Sequence, residues 1–370
     1  MPVPSSRMVA ETEKLLAGHF GRKRAFLVGR GATGLMLLYE SLSDPGGRVI
    51  LPDIACPSLL ATVLLTGRQP VIVDVDMNLN IGPEQVEKVL QPHDVVVGVH
   101  IFGIPFATGE LTELCAKRGA VLIEDVAQAV GGQMESGMLG SFGTASLLSF
   151  SNGKILPTNG GGAILTDDIS LIEKLEKEIA ELPQRPDDLE ERSHDLRDEL
   201  TRAFNDARSG NLGAASIWSD LYDAFGPIYS YAIRDEEAGL IPPALDDLEQ
   251  NAGNRRRKLA LYQEYMSKLD VWFPVYPPDC VPYRFSFIPK GLTIEIVYQC
   301  TKEIRASGLH ASNLYLPLHD LAPDKVLEQG CERAEFVGWH IINLWLDDSV
   351  DEEKILSAAE VVSEFVEFVD

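Results

Sequence analysis

The chain has 370 residues, 45% hydrophobic and 24% charged, and its 56 acidic against 32 basic residues leave a formal net charge of -24. This length supports one large core and a smaller second one, and the composition is that of a globular protein. So acidic a field repels nucleic acid and anionic membranes, no stretch reaches the roughly 18 uninterrupted apolar residues of a membrane span, and the five cysteines, never paired at metal-ligand spacing, exclude a zinc site or disulfide framework and point to the reducing cytoplasm.

The first residues, Met1-Pro2-Val3-Pro4-Ser5-Ser6-Arg7, have no apolar core that could serve as a signal peptide. Short β-branched runs then alternate with amphipathic segments. Ala25–Val28, Val49–Leu51, Val71–Val75, Val95–Val99, Val121–Glu124, Ser146–Phe150 and Ala163–Thr166 read as buried strands. Leu35–Ser43, Ser58–Thr66, Pro83–Leu90 and Gly109–Lys117 read as the helices between them. This alternation predicts an α/β fold with a mostly parallel central sheet sandwiched by helices. From residue 169 to 210 the chain is rich in Glu, Asp, Arg and Leu and reads as helices separated by Pro183 and Pro186. A long helix follows at Arg255–Leu269, then strands at Tyr283–Ile288 and His340–Leu346, and a closing helix at Glu352–Val369. The expected division is a large domain over residues 1–235, with a helical insert at about 169–230, and a smaller α+β domain over 236–370.

Gly29-Arg30-Gly31-Ala32-Thr33-Gly34 follows the first strand and opens a helix. Glycines let the backbone approach an anion, and the first helical amides point at it with a favourable dipole. The pattern fits a phosphate loop of any owner. It also fits the G-x-G-x-x-G of a dinucleotide-binding domain, with Asp53 as the ribose-binding acid, or a plain tight turn.

Val121-Leu122-Ile123-Glu124-Asp125 ends a strand in two acids, at the end where α/β proteins bind ligands. A carboxylate there would keep the pyridine nitrogen of pyridoxal phosphate protonated, making the ring an electron sink; the alternative is an ordinary helix cap by Asp125. Downstream stand Ser149-Phe150-Ser151-Asn152-Gly153-Lys154 and Gly160-Gly161-Gly162. Lysine is usually a solvated surface residue. One set among apolar strands, partly desolvated and lowered in pKa, is what an imine-forming amine requires. Gly153-Lys154 is not a P-loop, since no glycine stands five residues before Gly153 and no Ser or Thr follows Lys154.

Together with Pro52 and Gly67-x-x-Pro70-Val71-x-Val73-Asp74, the ordered set of phosphate loop, Glu124-Asp125-x-Ala127-Gln128, Ser149-Phe150-x-x-x-Lys154 and glycine triplet resembles the DegT/DnrJ/EryC1/StrS aminotransferases. These are fold-type-I pyridoxal-phosphate enzymes that mostly aminate keto sugars. The resemblance is dense from about residue 11 to 168 and fainter at Tyr231–Lys258 and Leu344–Ile355. It implies pyridoxal 5'-phosphate bonded through Lys154, which also moves the substrate proton, with Asp125 on the pyridine nitrogen and Gln128 on the ring hydroxyl. Ser149 and the amides of Gly31 and Ala32 would hold the phosphate, and Arg234 would serve the substrate. It also implies a homodimer with shared active sites.

The chain departs from the family pattern in several places. The ring-stacking aromatic is replaced by Cys56. The phosphate-loop hydroxyl is lost at Ala32, with Thr33 as its nearest replacement. Ser230-Tyr231-Ala232-Ile233-Arg234 lacks the asparagine that reaches the partner's phosphate. The family's N-terminal substrate segment is not matched, and the stretch from Asp168 to Tyr231 is longer than usual.

The expected activity is transamination from an amino acid, by family habit glutamate, to a keto acceptor such as a keto sugar or nucleotide sugar. The alternatives are a lyase or dehydratase on the same fold, a nicotinamide oxidoreductase, and a non-catalytic cofactor-binding regulator. The family's dehydratases carry histidine in place of the lysine, and Lys154 is intact. His100 reads as a hydrogen-bonded core histidine, Trp272, Trp339 and Trp345 as packing residues, and Arg255–Lys258 as a solvated helix face. Trp218, Tyr222, Phe225, Tyr229 and Tyr231 either shape a ring-binding acceptor pocket or form the core of a helical hairpin.

Overall fold

The computed structural model describes residues 6–369. Its strands are β1 (Arg24–Val28), β2 (Arg48–Pro52), β3 (Gln69–Val73), β4 (Val95–Val99), β5 (Val121–Asp125), the short pair β6 (Gln133–Met134) and β7 (Gly137–Met138), β8 (Ala145–Ser149), β9 (Gly162–Thr166), β10 (Val271–Trp272), β11 (Arg284–Pro289), β12 (Ala311–Ser312), β13 (Leu327–Gln329) and β14 (Ile342–Trp345). The main sheet has eight strands in the order β1-β9-β8-β5-β4-β2-β3-β13, and β9 alone runs antiparallel to its neighbours. Every strand expected up to Thr166 is present within a residue or two.

The sheet is buried on both faces because its strands are apolar at consecutive positions. Val95 and Val97 enter one core with Leu51, Ile123 and Leu147, while Val96 enters the opposite one with Ile50, Val71 and Leu122. Alternation of side chains across the pleat sends successive valines to opposite layers. Helices Gly31–Leu42 and Pro57–Leu65 cover the first face and Thr108–Arg118 the second.

The insert is helical as expected, with Ile169–Ala180 and Leu189–Arg208 separated by the segment that holds Pro183 and Pro186. Its aromatic residues divide between the two alternatives. Trp218 is fully buried and, with Phe225, Ile228 and Tyr229, belongs to the main core beside Leu59 and Val63, so Trp218 is a packing residue, while Tyr229 also lines a cavity. Arg208, also buried, ties the insert to the C-terminal part by donating to the carbonyls of Trp339, Gly338 and Asn313.

The C-terminal part builds a second, antiparallel sheet in the order β10-β11-β14-β12, packed on helices Leu248–Met266, Ile294–Ala306 and Glu352–Ser363. Two boundaries differ from the sequence reading. The first of these helices starts at Leu248, well before Arg255. The closing helix ends at Ser363, because the amides of Asp270 and Val369 bond to the carbonyls of Glu367 and Lys268 and draw the last residues into extended pairing. The segment Leu327–Gln329 also returns to the large sheet, beside β3, a pairing with no local signal in its residues.

Candidate active site

Strands β1, β2, β4, β5 and β8 end on the same side of the sheet, and strand order reverses between β2 and β4. In open α/β sheets ligands bind in the crevice at such a point. A cavity of about 190 Å³ lies there. Gly31, Ala32, Cys56, Asp125, Gln128, Ser149 and Lys154 all line it. Residues that stand more than 120 positions apart in sequence therefore meet in one pocket.

Two helix N-termini face this cavity: Gly31–Leu42 after β1, and Pro57–Leu65, whose N-cap is Cys56. The first amides of Gly31–Leu42 have no partner within their own helix and offer donors to an anion; the second helix begins with Pro57, which has no N–H, and its Leu59 amide donates to the Cys56 carbonyl at 2.9 Å, which leaves the Ser58 amide. Gly31 leaves the room for this: a Cβ there would stand 3.1 Å from the Cβ of Ser149 and 3.3 Å from its Oγ. The Ser149 and Ser151 hydroxyls lie 3.3 Å apart at the same end of the cavity.

Asp125 closes β5 and is buried. Its Oδ1 accepts the Ala127 amide at 2.9 Å, so the capping role and the cavity role coexist. Burial raises the carboxyl pKa, against the Ala127 hydrogen bond and the charge of Lys154, which lower it. A buried acid in this condition gains most from a cation placed directly against it. Gln128 accepts the Phe102 amide on Oε1 at 3.0 Å and donates through Nε2 to the Tyr315 hydroxyl at 3.3 Å. The Phe102 donor fixes the amide orientation, so Nε2 keeps a second N–H. Cys56 forms a 2.9 Å contact between its Sγ and the Ser58 hydroxyl.

Lys154 sits in a turn after β8, its amide donating to the Ser151 carbonyl at 3.1 Å. Its Nζ lies 5.2 Å from the centroid of the Tyr283 ring, a cation–π contact from the C-terminal part. Lys154 also borders a second cavity of about 440 Å³ with Arg255, His310, Trp345 and Asp347.

Two of the expected site residues lie elsewhere. Thr33 is buried and its hydroxyl donates to the Tyr229 carbonyl, so it does not supply the hydroxyl missing at Ala32. Arg234 caps helix Asp235–Asp246 and pairs with Glu237 at 2.8 Å, outside both cavities. Asp53 is buried and both its oxygens are taken by His319, one by the amide at 3.0 Å and one by Nδ1 at 2.6 Å. It cannot serve a ribose, which removes the support for a nicotinamide enzyme. His100 is a core residue as expected: the Phe106 amide donates to Nδ1 at 3.3 Å, which leaves Nε2 to donate to Glu124 at 3.0 Å. Arg255, expected on a solvated face, is buried, and it donates to Asn251 at 2.8 Å and to the carbonyls of Pro282 and Tyr283.

Sequence reasoning missed Arg30 and Tyr283 as site residues. Arg30 fills a variable position of the glycine loop, and Tyr283 stands just before β11, 129 positions beyond Lys154, so neither carried a spacing signal.

The donor set fits pyridoxal phosphate: amides and serine hydroxyls at one end for a phosphate, a buried carboxylate for a cationic ring nitrogen, an amide N–H for a ring hydroxyl, and an amine beside them. Residues 5–362 match the model of the DegT/DnrJ/EryC1/StrS aminotransferase family. The UDP-N-acetyl-3-dehydro-alpha-D-glucosamine 3-aminotransferase of Acidithiobacillus ferrooxidans is 26% identical over 357 residues, 95% of this chain and 86% of that protein. GDP-perosamine synthase of Caulobacter vibrioides is 31% identical over 172 residues, and the match spans only 46% of each chain. The crystal structure of a DegT DnrJ EryC1 StrS aminotransferase from Brucella abortus shares the fold with a TM-score of 0.74 at 22% identity, covering 97% of this chain and 90% of that one. Among the described residues no helix is long and apolar enough to cross a membrane. The chain is a pyridoxal-phosphate-dependent aminotransferase and belongs to the DegT/DnrJ/EryC1/StrS aminotransferase family.

Proposed function

We propose that this chain transfers an amino group from an amino acid, with glutamate the first to test, to the carbonyl of a sugar-like acceptor. Support for the assignment comes from one observation above the rest: Lys154, in the turn after β8, and Asp125, at the end of β5, line the same small cavity as Gly31 and Ala32.

The bound cofactor supplies an aldehyde carbon for amine exchange and a ring that delocalises the charge left when a proton is removed. Lys154 Nζ would be the amine that holds the cofactor and the base that moves the proton at the substrate carbon. Its contact with the Tyr283 ring would restrain the free amine. Asp125 would pair, ionised, with the protonated ring nitrogen. Gln128 would donate to the ring hydroxyl, and Ser149 with the Gly31 and Ala32 amides would hold the phosphate end. Cys56 and Ala127, both on the cavity wall, would meet the ring in place of a stacking aromatic.

The acceptor would enter by the second cavity, which Lys154 shares. Its indole (Trp345), imidazole (His310), guanidinium (Arg255) and carboxylates (Asp347, Asp348) suit a hydroxyl-rich ring. Relatives named as amino-sugar enzymes support this acceptor class. We take residues 1–235 as the cofactor-holding unit and the pair of chains as the working enzyme. Arg234, partly exposed at its helix N-terminus, would then contribute across the interface. No disulfide joins cysteines among the described residues, in keeping with a cytoplasmic enzyme.

The test is an absorption spectrum of the purified protein before and after adding single amino acids. A cofactor band that glutamate converts and a keto sugar restores supports the assignment. A band that no amino acid changes argues against it.

A further inference from the structure

We propose that Arg30 is the counter-charge for the cofactor phosphate, in place of the hydroxyl that the family carries at the position of Ala32. This rests on the cofactor reading of the cavity given above.

Apart from Lys154, whose amine is engaged with the reacting carbon, Arg30 is the only cation lining the cavity among the described residues. It is the N-cap of helix Gly31–Leu42, in extended conformation, and its side chain makes no cap hydrogen bond. Its backbone is pinned against Gly161 by a parallel bridge. The guanidinium is held by two neighbours: Nη1 donates to the Ile228 carbonyl at 3.1 Å, and the carbon at its centre lies 5.7 Å from the centroid of the Tyr229 ring, which also lines the cavity. No carboxylate pairs with it among the described residues, although acidic residues outnumber basic ones by 56 to 32 in this chain. A guanidinium has five N–H donors in a rigid fork, so one carbonyl bond leaves most of them available.

The phosphate end of the cavity is otherwise short of what a dianion needs. Ala32 has no hydroxyl, and the Thr33 hydroxyl is spent on the Tyr229 carbonyl. The two helix N-termini supply partial charges of about half a unit each, and the Ser149 and Ser151 hydroxyls add donors without charge. An arginine fixed beside these amides, on a shelf made by Ile228 and Tyr229, supplies both the missing charge and the missing donors.

The experiment compares Arg30→Gln, Arg30→Lys and the native chain for binding of pyridoxal phosphate and of pyridoxal, which lacks the phosphate, by equilibrium fluorescence titration. Loss of charged hydrogen bonds should weaken pyridoxal phosphate by about 10- to 100-fold in Arg30→Gln and less in Arg30→Lys. Pyridoxal should bind all three alike, and Ala32→Thr added to Arg30→Gln should recover part of the loss. Equal weakening of both ligands would make Arg30 a packing residue on Tyr229, and unchanged binding of both would show that the phosphate is held without it. Either result overturns the proposal. If the native chain binds neither ligand at Lys154, the cofactor reading itself fails, an outcome distinct from both.

Discussion

Gly162 lies directly against the backbone of the phosphate loop, where a Cβ would stand 2.6 Å from the Gly31 amide nitrogen and 2.7 Å from the Arg30 carbonyl carbon. The close approach expected of the glycine triplet is thus made by the chain's own loop, and it gives no reason in itself to expect a second subunit. Gly162→Ala should push the loop away from Ser149 and weaken cofactor binding. Overpacking against backbone also typically costs about 1–3 kcal/mol of stability. Calorimetry and a cofactor titration on the same sample would check both effects, and a variant that keeps native affinity would show that the loop is free to shift.

Asp125→Asn separates charge from hydrogen bonding. The amide can still accept the Ala127 N–H that Asp125 accepts at 2.9 Å. Burial raises the pKa of this acid in the cofactor-free protein, so its folded pKa lies above its unfolded one. It therefore favours folding at low pH and disfavours it once ionised. The cofactor-free variant should melt no lower than the native chain at neutral pH. Turnover should nevertheless fall by about 100- to 1,000-fold, the usual effect of removing one well-placed electrostatic group. Native turnover in this variant would reduce Asp125 to a helix cap.

Trp218→Ala is expected to act through the core. The side chain is fully buried, packs at 5.7 Å from Phe225, and its removal should cost about 3–5 kcal/mol. Both half-reactions should then decline together with the melting temperature. Tyr222→Ala should do little, since Tyr222 is half-buried beneath Lys325. Selective loss of the acceptor half-reaction in the Trp218 variant would restore the pocket reading.

His319 gives the fold an alkaline limit. Burial lowers its pKa, but the hydrogen bond and charge of Asp53 prevail and raise it to about 9. A histidine raised in the folded state stabilises fully below its ordinary pKa of about 6.5 and loses that contribution as pH climbs towards the folded value. Stability should fall between pH ~6.5 and ~9, and His319→Gln should flatten this part of the profile. Denaturant melts across the range would show it, and an unchanged slope in the variant would contradict the assignment.

The parts of this molecule visible in its sequence were those with local signals. Strands β1 to β5, β8 and β9 are continuous apolar runs bounded by turn residues, and Lys154, Asp125, Gln128 and Ser149 stand in ordered motifs that converge as expected. Arg30 and Tyr283 were not legible, because a cavity is assembled from segments whose separation in sequence carries no period. The Thr33 hydroxyl failed as a substitute because helical geometry turns it to the Tyr229 carbonyl, away from Ala32. The closing helix was overextended since Phe365–Val369 continues an apolar pattern that only the pairing with Lys268–Asp270 interrupts. Aromatic residues in the insert fit a pocket or a core equally well by composition, and the fold uses Trp218 for the core and Tyr229 for both.

The claim on which the account depends is that Lys154 carries the cofactor. Borohydride reduction of the native enzyme with pyridoxal phosphate, followed by peptide mapping, addresses it directly. The label should fall on the peptide that contains Ser149-Phe150-Ser151-Asn152-Gly153-Lys154, and Lys154→Ala should abolish it while leaving reversible cofactor binding. A label on any other lysine, or none with cofactor in excess, would contradict the account.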